Sequence, residues 1–287
     1  MEIPVREESK GWCFQLIKAA VLGSPIAHSL SPLLHQLAYR ELAVDGEYTA
    51  IEVSSGGLQG FLNTLDDSWT GFSLTMPLKE EVVGIADVVS DLSSRIASAN
   101  TLVRRDGRWE ASTTDVSGFS YALQSHGVSV SGDVLIIGSG ATARAVAAAC
   151  DGLASRITVM ARSMHNAPSI SNCVEESDLD FVPWHTSGVI ASADLIVCTT
   201  PSGAADSLVD LFPINPNSVF FDVLYNPWPT LALSAWAATG GQVIDGLDLL
   251  IHQAIAQVEI FSGLSVDRAA MSLRMREAAL SHLTSST

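Results

Sequence analysis

The sequence predicts an α/β protein with two domains. Short apolar segments alternate along the chain with Ala- and Leu-rich segments of helical period, which is typical of parallel strands covered by helices on both faces. The 287 residues are about twice the length of an average domain. Apolar residues make up 47% of the chain and charged residues 16%, so each domain can bury a core of its own.

Seven apolar segments are predicted to be strands, joined by right-handed crossovers. They span residues 19–22, 48–51, 71–75, 134–137, 157–160, 195–198 and 219–223. The helical period predicts helices over residues 31–42, 116–125, 141–150 and 230–238, and further helical structure over 247–283.

The predicted domain boundary lies near Asp115, where the first series of strands and helices ends and a helix leads to a second series. The helical segment after residue 246 is too short to form a domain, so we expect it to pack on the first one. The two predicted domains are therefore residues 18–115 together with 247–287, and residues 116–246.

The composition argues against several kinds of partner. The chain has 31 acidic and 15 basic side chains, and its formal charge of −16 disfavours nucleic acids and anionic membranes. No apolar run approaches the roughly 18 residues that span a bilayer, and the early acidic residues do not fit a secretory signal. We therefore expect neither a nucleic acid nor a membrane as partner.

The cysteines lie far apart and lack the spacing of a metal site, which argues against both zinc and a disulfide framework. We therefore expect no bound metal and a reducing, cytoplasmic location. The four cysteines are Cys13, Cys150, Cys173 and Cys198.

A glycine-rich loop follows the predicted strand 134–137 and leads into the helix 141–150. Its sequence, G-S-G-A-T-A, fits the G-x-G-x-x-A pattern of Rossmann-type dinucleotide-binding domains; the alternative is a turn without a ligand. Gly138 allows the tight turn, Gly140 lets the backbone approach a pyrophosphate, and Ala143 keeps the helix close to the sheet. The predicted cofactor-binding residues of this loop are Gly138, Ser139, Gly140, Ala141, Thr142 and Ala143.

The residues after the next strand favour NADP over NAD. NAD-binding domains place an acidic residue about 20 residues beyond the glycine loop, where it binds the ribose 2′-hydroxyl. This chain instead has Arg162 and Ser163 there, and both can bind a 2′-phosphate. The alternative is that Arg162 is only a surface charge at a strand end.

Further polar segments lie at strand ends and helix starts, where α/β proteins bind ligands. They are H-S-L-S-P at 28–32, T-M-P-L-K at 75–79, A-N-T at 99–101, T-D-V-S-G at 114–118, D-V-L-Y-N-P at 222–227 and G-L-D-L-L-I-H-Q-A at 246–254. In this order and spacing they resemble the shikimate dehydrogenase family, over residues 18–263. The resemblance implies a substrate-binding first domain, an NADP-binding second domain and a cofactor contact at Gly246.

The resemblance also implies an activity, the reversible reduction of 3-dehydroshikimate to shikimate with NADP in aromatic amino-acid biosynthesis. Oxidising a secondary alcohol needs a group that accepts the hydroxyl proton, and the family's acid/base pair carries over to Lys79 and Asp115. Lysine in water has a pKa of about 10.4 and is a poor base at neutral pH. Burial would have to lower this pKa, whereas the nearby carboxylate opposes that shift. Taken singly, Lys79 also fits a surface lysine at a helix start, and Asp115 a helix cap.

Shikimate carries a carboxylate and three ring hydroxyls, and the resemblance implies side chains for both. Ser29 and Ser31 match the family's carboxylate-binding serines at the start of the helix 31–42, whose N-terminus favours an anion; they also fit capping of that helix. Tyr225 matches the tyrosine between substrate and cofactor. The positions that match hydrogen-bonding partners of the ring hydroxyls or carboxylate are Thr75, Asn100, Asp115 and Gln253.

Two positions depart from the family pattern. Ser73 and Thr113 stand where the family commonly has Asn, and a hydroxyl offers fewer hydrogen bonds than an amide. The alternatives are therefore a relative acting on quinate or an amino analogue of shikimate, or a non-catalytic NADP-binding protein. The sequence leaves both a monomer and a homodimer open.

Overall fold

The structure is a computed structural model and describes residues 16–285, which form two six-stranded sheets. Cys13 and the last two residues of the predicted first domain lie outside this range. The first sheet contains β1 (Ile17–Gly23), β2 (Gly46–Glu52), β3 (Gly71–Leu74), β4 (Val88–Val89), β5 (Thr101–Arg105) and β6 (Arg108–Ser112). The second contains β7 (Asp133–Ile137), β8 (Arg156–Ala161), β9 (Asp178–Pro183), β10 (Leu195–Cys198), β11 (Val219–Asp222) and β12 (Gln242–Ile244).

Eleven α-helices lie within the described residues. They are α1 (Ser31–Glu41), α2 (Leu58–Leu62), α3 (Leu78–Glu81), α4 (Asp91–Arg95), α5 (Asp115–Ser125), α6 (Ala141–Cys150), α7 (Ala167–Ser171), α8 (Val189–Ser192), α9 (Leu231–Ala238), α10 (Gly246–Ser262) and α11 (Arg268–Ser285). Short 3₁₀ helices cover Val82–Gly84, Met164–Asn166 and Asp206–Leu211. Among these residues no helix combines the length and the apolar character that crossing a bilayer requires.

The first sheet is mixed, in the order β2-β1-β3-β5-β6-β4. The parallel pairing expected from the apolar runs is confirmed for β1 with β2 and β3. However, β5 runs antiparallel to both β3 and β6. The chain reverses between β5 and β6 in a tight hairpin. Its two turn residues, Asp106 and Gly107, both have positive φ, as in the two-residue turns whose twist matches that of the paired strands.

The second sheet is parallel throughout, in the order β12-β11-β10-β7-β8-β9. This is the strand order of the doubly wound dinucleotide-binding fold, so the predicted Rossmann-type architecture is confirmed. The winding reverses between β7 and β10, and the glycine-rich loop leaves β7 at this point. Loops at such a reversal form the ligand-binding crevice of this architecture.

The C-terminal helices pack on the first sheet. The predicted helical segment is divided into α10 and α11 after Gly263, whose left-handed φ of 71° ends α10. Ile251 of α10 and Met275 of α11 share one hydrophobic cluster with Leu34 of α1 and Val21 of β1. This return of the chain places α10 beside the polar edge of the first sheet, while the exact domain boundaries stay a prediction.

His35 belongs to the core of this first layer. It is fully buried, stacks on Tyr48 with ring centroids 3.8 Å apart, and its Nδ1 lies 2.9 Å from the carbonyl oxygen of Ser31. Burial lowers the pKa of His35 to about 4, so the imidazole is neutral at physiological pH. It is a packing residue.

Candidate active site

The mixed strand directions bring three polar loops to one edge of the first sheet. Thr101, the first residue of β5, pairs with Ser73 near the end of β3 and with Ser112 at the end of β6. The residues after β3, before β5 and after β6 therefore lie side by side. These are the segments that carry Lys79, Asn100 and Asp115, far apart in sequence.

Lys79 and Asp115 form a partly buried ion pair. Lys79 Nζ lies 2.7 Å from Asp115 Oδ2, and their side chains are 17% and 7% exposed. Asp115 is the first residue of α5, and Thr114 at the N-cap position makes no side-chain capping bond. Asp115 is therefore not the cap of α5. Its carboxylate oxygens instead accept hydrogen bonds from Lys79 and Asn100.

Asn100 connects this pair to α10. Its Nδ2 donates to Asp115 Oδ1 at 2.8 Å and to Gln253 Oε1 at 3.1 Å. Its Oδ1 accepts from the backbone N–H of Thr114 at 2.8 Å, which fixes the orientation of the amide. Four predicted site residues thus form one hydrogen-bonded cluster, which we call the Lys79–Asp115 cluster; its members are Lys79, Asn100, Asp115 and Gln253.

A close helix crossing holds Gln253 next to Asp115. A Cβ atom on Gly118 would lie 3.0 Å from both the backbone nitrogen and the Cβ of Gln253. Only glycine lets α5 approach α10 this closely, one turn after Asp115. The close packing of α5 on α10 therefore explains the glycine of the T-D-V-S-G segment, and this packing positions Gln253 in the cluster.

The predicted carboxylate-binding residues form a second group at the start of α1. The Ser29 hydroxyl accepts a hydrogen bond from the Ser31 N–H at 3.3 Å, and Ser31 begins α1. Tyr225, from the loop after β11, packs near Leu30 in the hydrophobic cluster of the first sheet, and burial raises the pKa of its phenol. Tyr225 therefore joins the second sheet to the first.

Thr75 begins the loop after β3 and lies beside the end of β1. Its N–H donates to the carbonyl of Leu22 at 2.9 Å, and the Ser24 N–H donates to the carbonyl of Met76 at 3.0 Å. These bonds connect the loop that leads to Lys79 with the loop that leads to Ser29.

The two departures from the family pattern have local explanations. Ser73 accepts a hydrogen bond from the Tyr48 hydroxyl at 2.5 Å and donates to Gln257 Oε1 at 2.7 Å, so its hydroxyl is used inside the protein. Gln257 in turn donates to the carbonyl of Asn100 at 3.0 Å. The Thr113 hydroxyl accepts from the Asp115 N–H at 3.3 Å.

Sequence reasoning missed Gln257. The available signal was a second glutamine one helical turn after Gln253, on a helix that is otherwise mostly apolar and buried. A buried amide in such a helix needs hydrogen-bonding partners, and here it supports the backbone of Asn100.

The glycine-rich loop has the conformation that a dinucleotide requires. Gly138 has φ of +116°, and a Cβ there would lie 2.5 Å from Thr199 Oγ1. A Cβ on Gly140 would meet nothing within 4 Å, which leaves open space at the start of α6, and α6 has no side-chain cap. Ala143 is fully buried against the sheet. The loop therefore fits the pyrophosphate of a dinucleotide.

The loop after β8 lies beside the glycine-rich loop. Arg162 and Ser163 are exposed there, and Ser163 accepts a hydrogen bond from the His165 N–H at 3.2 Å. Asn166, another residue that sequence reasoning missed, donates through Nδ2 to the carbonyl of Ser139 at 2.9 Å. The side chain of Arg162 is thus exposed beside the glycine-rich loop, and its contact with a phosphate remains a prediction.

Gly246 begins α10 and has a packing role. A Cβ there would lie 2.4 Å from the carbonyl oxygen of Val223, so only glycine fits against the loop after β11. The contact of Gly246 with the cofactor remains a prediction.

Comparisons with known proteins identify the family. The family profile described as shikimate dehydrogenase substrate binding domain matches residues 21–102. The shikimate dehydrogenase (NADP(+)) of Ignicoccus hospitalis is 32% identical over 248 residues, which cover 86% of this chain and 93% of that protein. This chain belongs to the shikimate dehydrogenase family.

Solved structures of the family have the same fold. The shikimate dehydrogenase of Mycobacterium tuberculosis matches with a TM-score of 0.81 and 36% identity, covering 91% of this chain and 99% of that one. The Thermus thermophilus shikimate dehydrogenase in complex with NADP(H) and shikimate matches with a TM-score of 0.80 and 32% identity, over the same shares of the two chains. The resemblance inferred from the ordered motifs is confirmed.

Proposed function

We propose that this protein is an NADP-dependent shikimate dehydrogenase, which reversibly reduces 3-dehydroshikimate to shikimate. The observation that carries the proposal is the ion pair between Lys79 Nζ and Asp115 Oδ2, held at a sheet edge by Asn100 and Gln253. The NADP(H) and shikimate complex of the Thermus relative supports the choice of cofactor and substrate.

Lys79 and Asp115 serve as one acid/base unit. Oxidation of a secondary alcohol requires a group that removes the hydroxyl proton, and reduction requires a group that returns it. The side chain of Lys79 is the more exposed of the two, and the carboxylate of Asp115 holds its amine in place. The hydroxyl proton passes to this unit during oxidation.

The polar groups around the unit match the two ends of shikimate. Asn100 and Gln253 place amide groups beside the Lys79–Asp115 pair, where we assign them to the ring hydroxyls, and Thr75 adds a hydroxyl at the end of β3. Ser29 and Ser31 offer hydroxyl donors to the carboxylate at the start of α1, beside the phenol of Tyr225. The proposed substrate-binding residues span both groups.

The residues of the second sheet suit NADP. The glycine-rich loop and the first turn of α6 would hold the pyrophosphate, and Arg162 with Ser163 would hold the 2′-phosphate. When bound, the nicotinamide supplies the hydride acceptor for shikimate oxidation and the hydride donor for the reverse reaction. The loop from Thr199 adjoins Gly138 and would border the same site.

Replacing Arg162 tests the cofactor choice. In Arg162→Ala we expect KM for NADP to rise about 10- to 100-fold, because hydrogen bonds to charged groups contribute about 1.5–3 kcal/mol. KM for NAD should change little, since NAD has no 2′-phosphate. Arg156→Ala is the matched control, because Arg156 lies at the other end of the same strand and pairs with Asp180. Equal effects of Arg162→Ala on both cofactors would contradict the assignment.

Two glycine substitutions separate binding from folding. Gly140→Ala should keep the melting temperature and lower NADP affinity at least tenfold, because its Cβ meets open space where the pyrophosphate is expected. Gly138→Ala should instead destabilise the fold by about 2 kcal/mol, because it combines positive φ with a close contact to Thr199. Calorimetric titration with NADP and thermal denaturation measure the two effects. Full NADP affinity in Gly140→Ala would exclude a cofactor at this loop.

Turnover with defined pairs of substrate and cofactor tests the proposal itself. We would follow the nicotinamide absorbance with shikimate or quinate, each with NADP or NAD. Turnover of shikimate with NADP supports the proposal, whereas preference for quinate with NAD would keep the acid/base unit but overturn the role of Arg162. Absence of turnover in all four mixtures would favour a non-catalytic NADP-binding protein.

Location and assembly stay predictions from sequence. A cytoplasmic location rests on the sparse, widely spaced cysteines. Light scattering after size-exclusion chromatography would decide between a monomer and a homodimer.

A further inference from the structure

We propose that Arg144 is a positioning residue that holds the cofactor-binding helix α6 in a fixed relation to the Lys79–Asp115 cluster. The inference rests on the proposed function, since it concerns the alignment of the cofactor with the acid/base unit. Arg144 follows the G-S-G-A-T-A loop directly and belongs to the second sheet's layer, yet its side chain reaches the first.

The guanidinium of Arg144 is buried and forms hydrogen bonds across the junction. Its side chain is 4% exposed. Nε donates to the carbonyl of Ile96 at 2.6 Å, and Nη2 donates to Glu80 Oε1 at 2.6 Å and to the carbonyl of Ala97 at 3.3 Å. A buried cation is retained only where such partners replace its hydration, so these contacts fix the side chain.

Both segments that Arg144 contacts lead directly into the cluster. Glu80 follows Lys79 on α3, and Ala97 precedes Asn100 by three residues. The Ala99 N–H donates to the carbonyl of Lys79 at 2.8 Å, which joins the two segments to each other. Arg144 therefore contacts the pair of backbone segments that hold the amine of Lys79 and the amide of Asn100.

The other end of the connection is the glycine-rich loop. Arg144 is in the first turn of α6, and its N–H donates to the carbonyl of Gly140 at 3.1 Å. A shift of α6 relative to α4 would thus move the proposed pyrophosphate site relative to Lys79. Hydride transfer is sensitive to displacements of this kind, because the reacting atoms must be held in line at contact distance.

The test compares Arg144→Lys with the wild-type protein. Lysine keeps the charge but carries all its donors on one nitrogen, so it cannot reproduce the separate bonds that Nε makes to Ile96 and Nη2 makes to Glu80. We expect kcat to fall at least tenfold, while the NADP dissociation constant measured by calorimetry changes less than threefold. We also expect a larger isotope effect on kcat with shikimate deuterated at the oxidised carbon, because misalignment makes hydride transfer limit the rate.

Two further variants keep the test decisive. Glu80→Gln keeps an acceptor oxygen but removes the negative charge of the exposed partner of Arg144, and it should lower kcat by a smaller factor in the same direction. Arg95→Gln is the control, because Arg95 also spans this junction, to Glu175 at 3.5 Å, but through a more exposed ion pair than that of Arg144. The kcat of this variant should stay within twofold of wild type.

Several outcomes would overturn the proposal. Folded Arg144→Lys protein with kcat within twofold of wild type would exclude a positioning role, as would an NADP affinity loss equal to the loss in kcat. An unchanged isotope effect beside reduced kcat would point to general destabilisation, as would equal effects of Arg95→Gln. An inactive wild-type protein would overturn the proposed function and this inference together, whereas active wild type with unaffected variants overturns only the inference.

Discussion

In Lys79→Ala we expect kcat for shikimate oxidation to fall by about a thousandfold. General acid–base catalysis contributes about 10²- to 10⁴-fold, and the substitution removes the amine that we assign to this task. Shikimate should still bind within a few-fold of wild-type affinity, because the carboxylate-binding residues at the start of α1 are untouched. Calorimetric titration with shikimate and initial-rate kinetics measure the two effects separately.

Lys18→Ala is the matched control for this variant. Lys18 lies on β1 of the same sheet, where its Nζ donates to the Ser68 hydroxyl at 3.2 Å and stacks over Trp69, away from the cluster. Its loss should leave kcat unchanged. If Lys79→Ala retained more than a tenth of wild-type kcat, Lys79 would not be the acid/base group.

Small alkylamines provide a second criterion for Lys79. The substitution leaves a space beside the Asp115 carboxylate that methylamine or ethylamine can enter as an ammonium ion. Added amine should restore part of kcat in Lys79→Ala and leave wild-type kcat unchanged. No restoration up to the solubility of the amine, together with intact shikimate binding, would indicate that Lys79 acts on structure and not on the proton.

The regular parts of the fold were predictable from sequence. All seven predicted strands are present, and six of them are largely buried apolar runs whose pattern is set by burial on both faces. The exception is β2, an edge strand in which only Tyr48 is buried. The strands that were missed are polar or short. In β9, Asp178 and Asp180 alternate along an edge strand, and the hairpin of β5 and β6 carries several arginines. The Asp106-Gly107 pair between β5 and β6 was an available hairpin signal.

The residues of the site were predictable, but their arrangement was not. The family motifs name Asn100, Asp115 and Gln253, yet no spacing indicates that one amide hydrogen-bonds the other two side chains. That contact depends on the reversed direction of β5 and on the close crossing at Gly118. Arg144 was not predictable for a related reason: two of its three partners are backbone carbonyls, which side-chain patterns in the sequence do not indicate.

In Asp115→Asn we expect kcat to fall by about a hundredfold or more, because the substitution disables the acid/base unit. Two donors, Lys79 Nζ and Asn100 Nδ2, converge on the two oxygens of Asp115, at 2.7 and 2.8 Å. An asparagine offers one acceptor oxygen, so its NH₂ group must face one of these donors. Asn100 cannot turn to relieve the conflict, because its Oδ1 is held by the N–H of Thr114. Removing the partner of a buried charge is costly, so we also expect a lower melting temperature.

The residual activity of Asp115→Asn decides which member of the unit accepts the proton. If Lys79 is the acceptor, a measurable part of kcat for shikimate oxidation should remain, because the amine is still present although its partner is altered. If Asp115 is the acceptor, activity should vanish. Asp248→Asn is the matched control, because Asp248 also accepts bonds from a cation, Arg276, but lies outside the cluster. Wild-type kcat in Asp115→Asn would contradict the coupled unit itself.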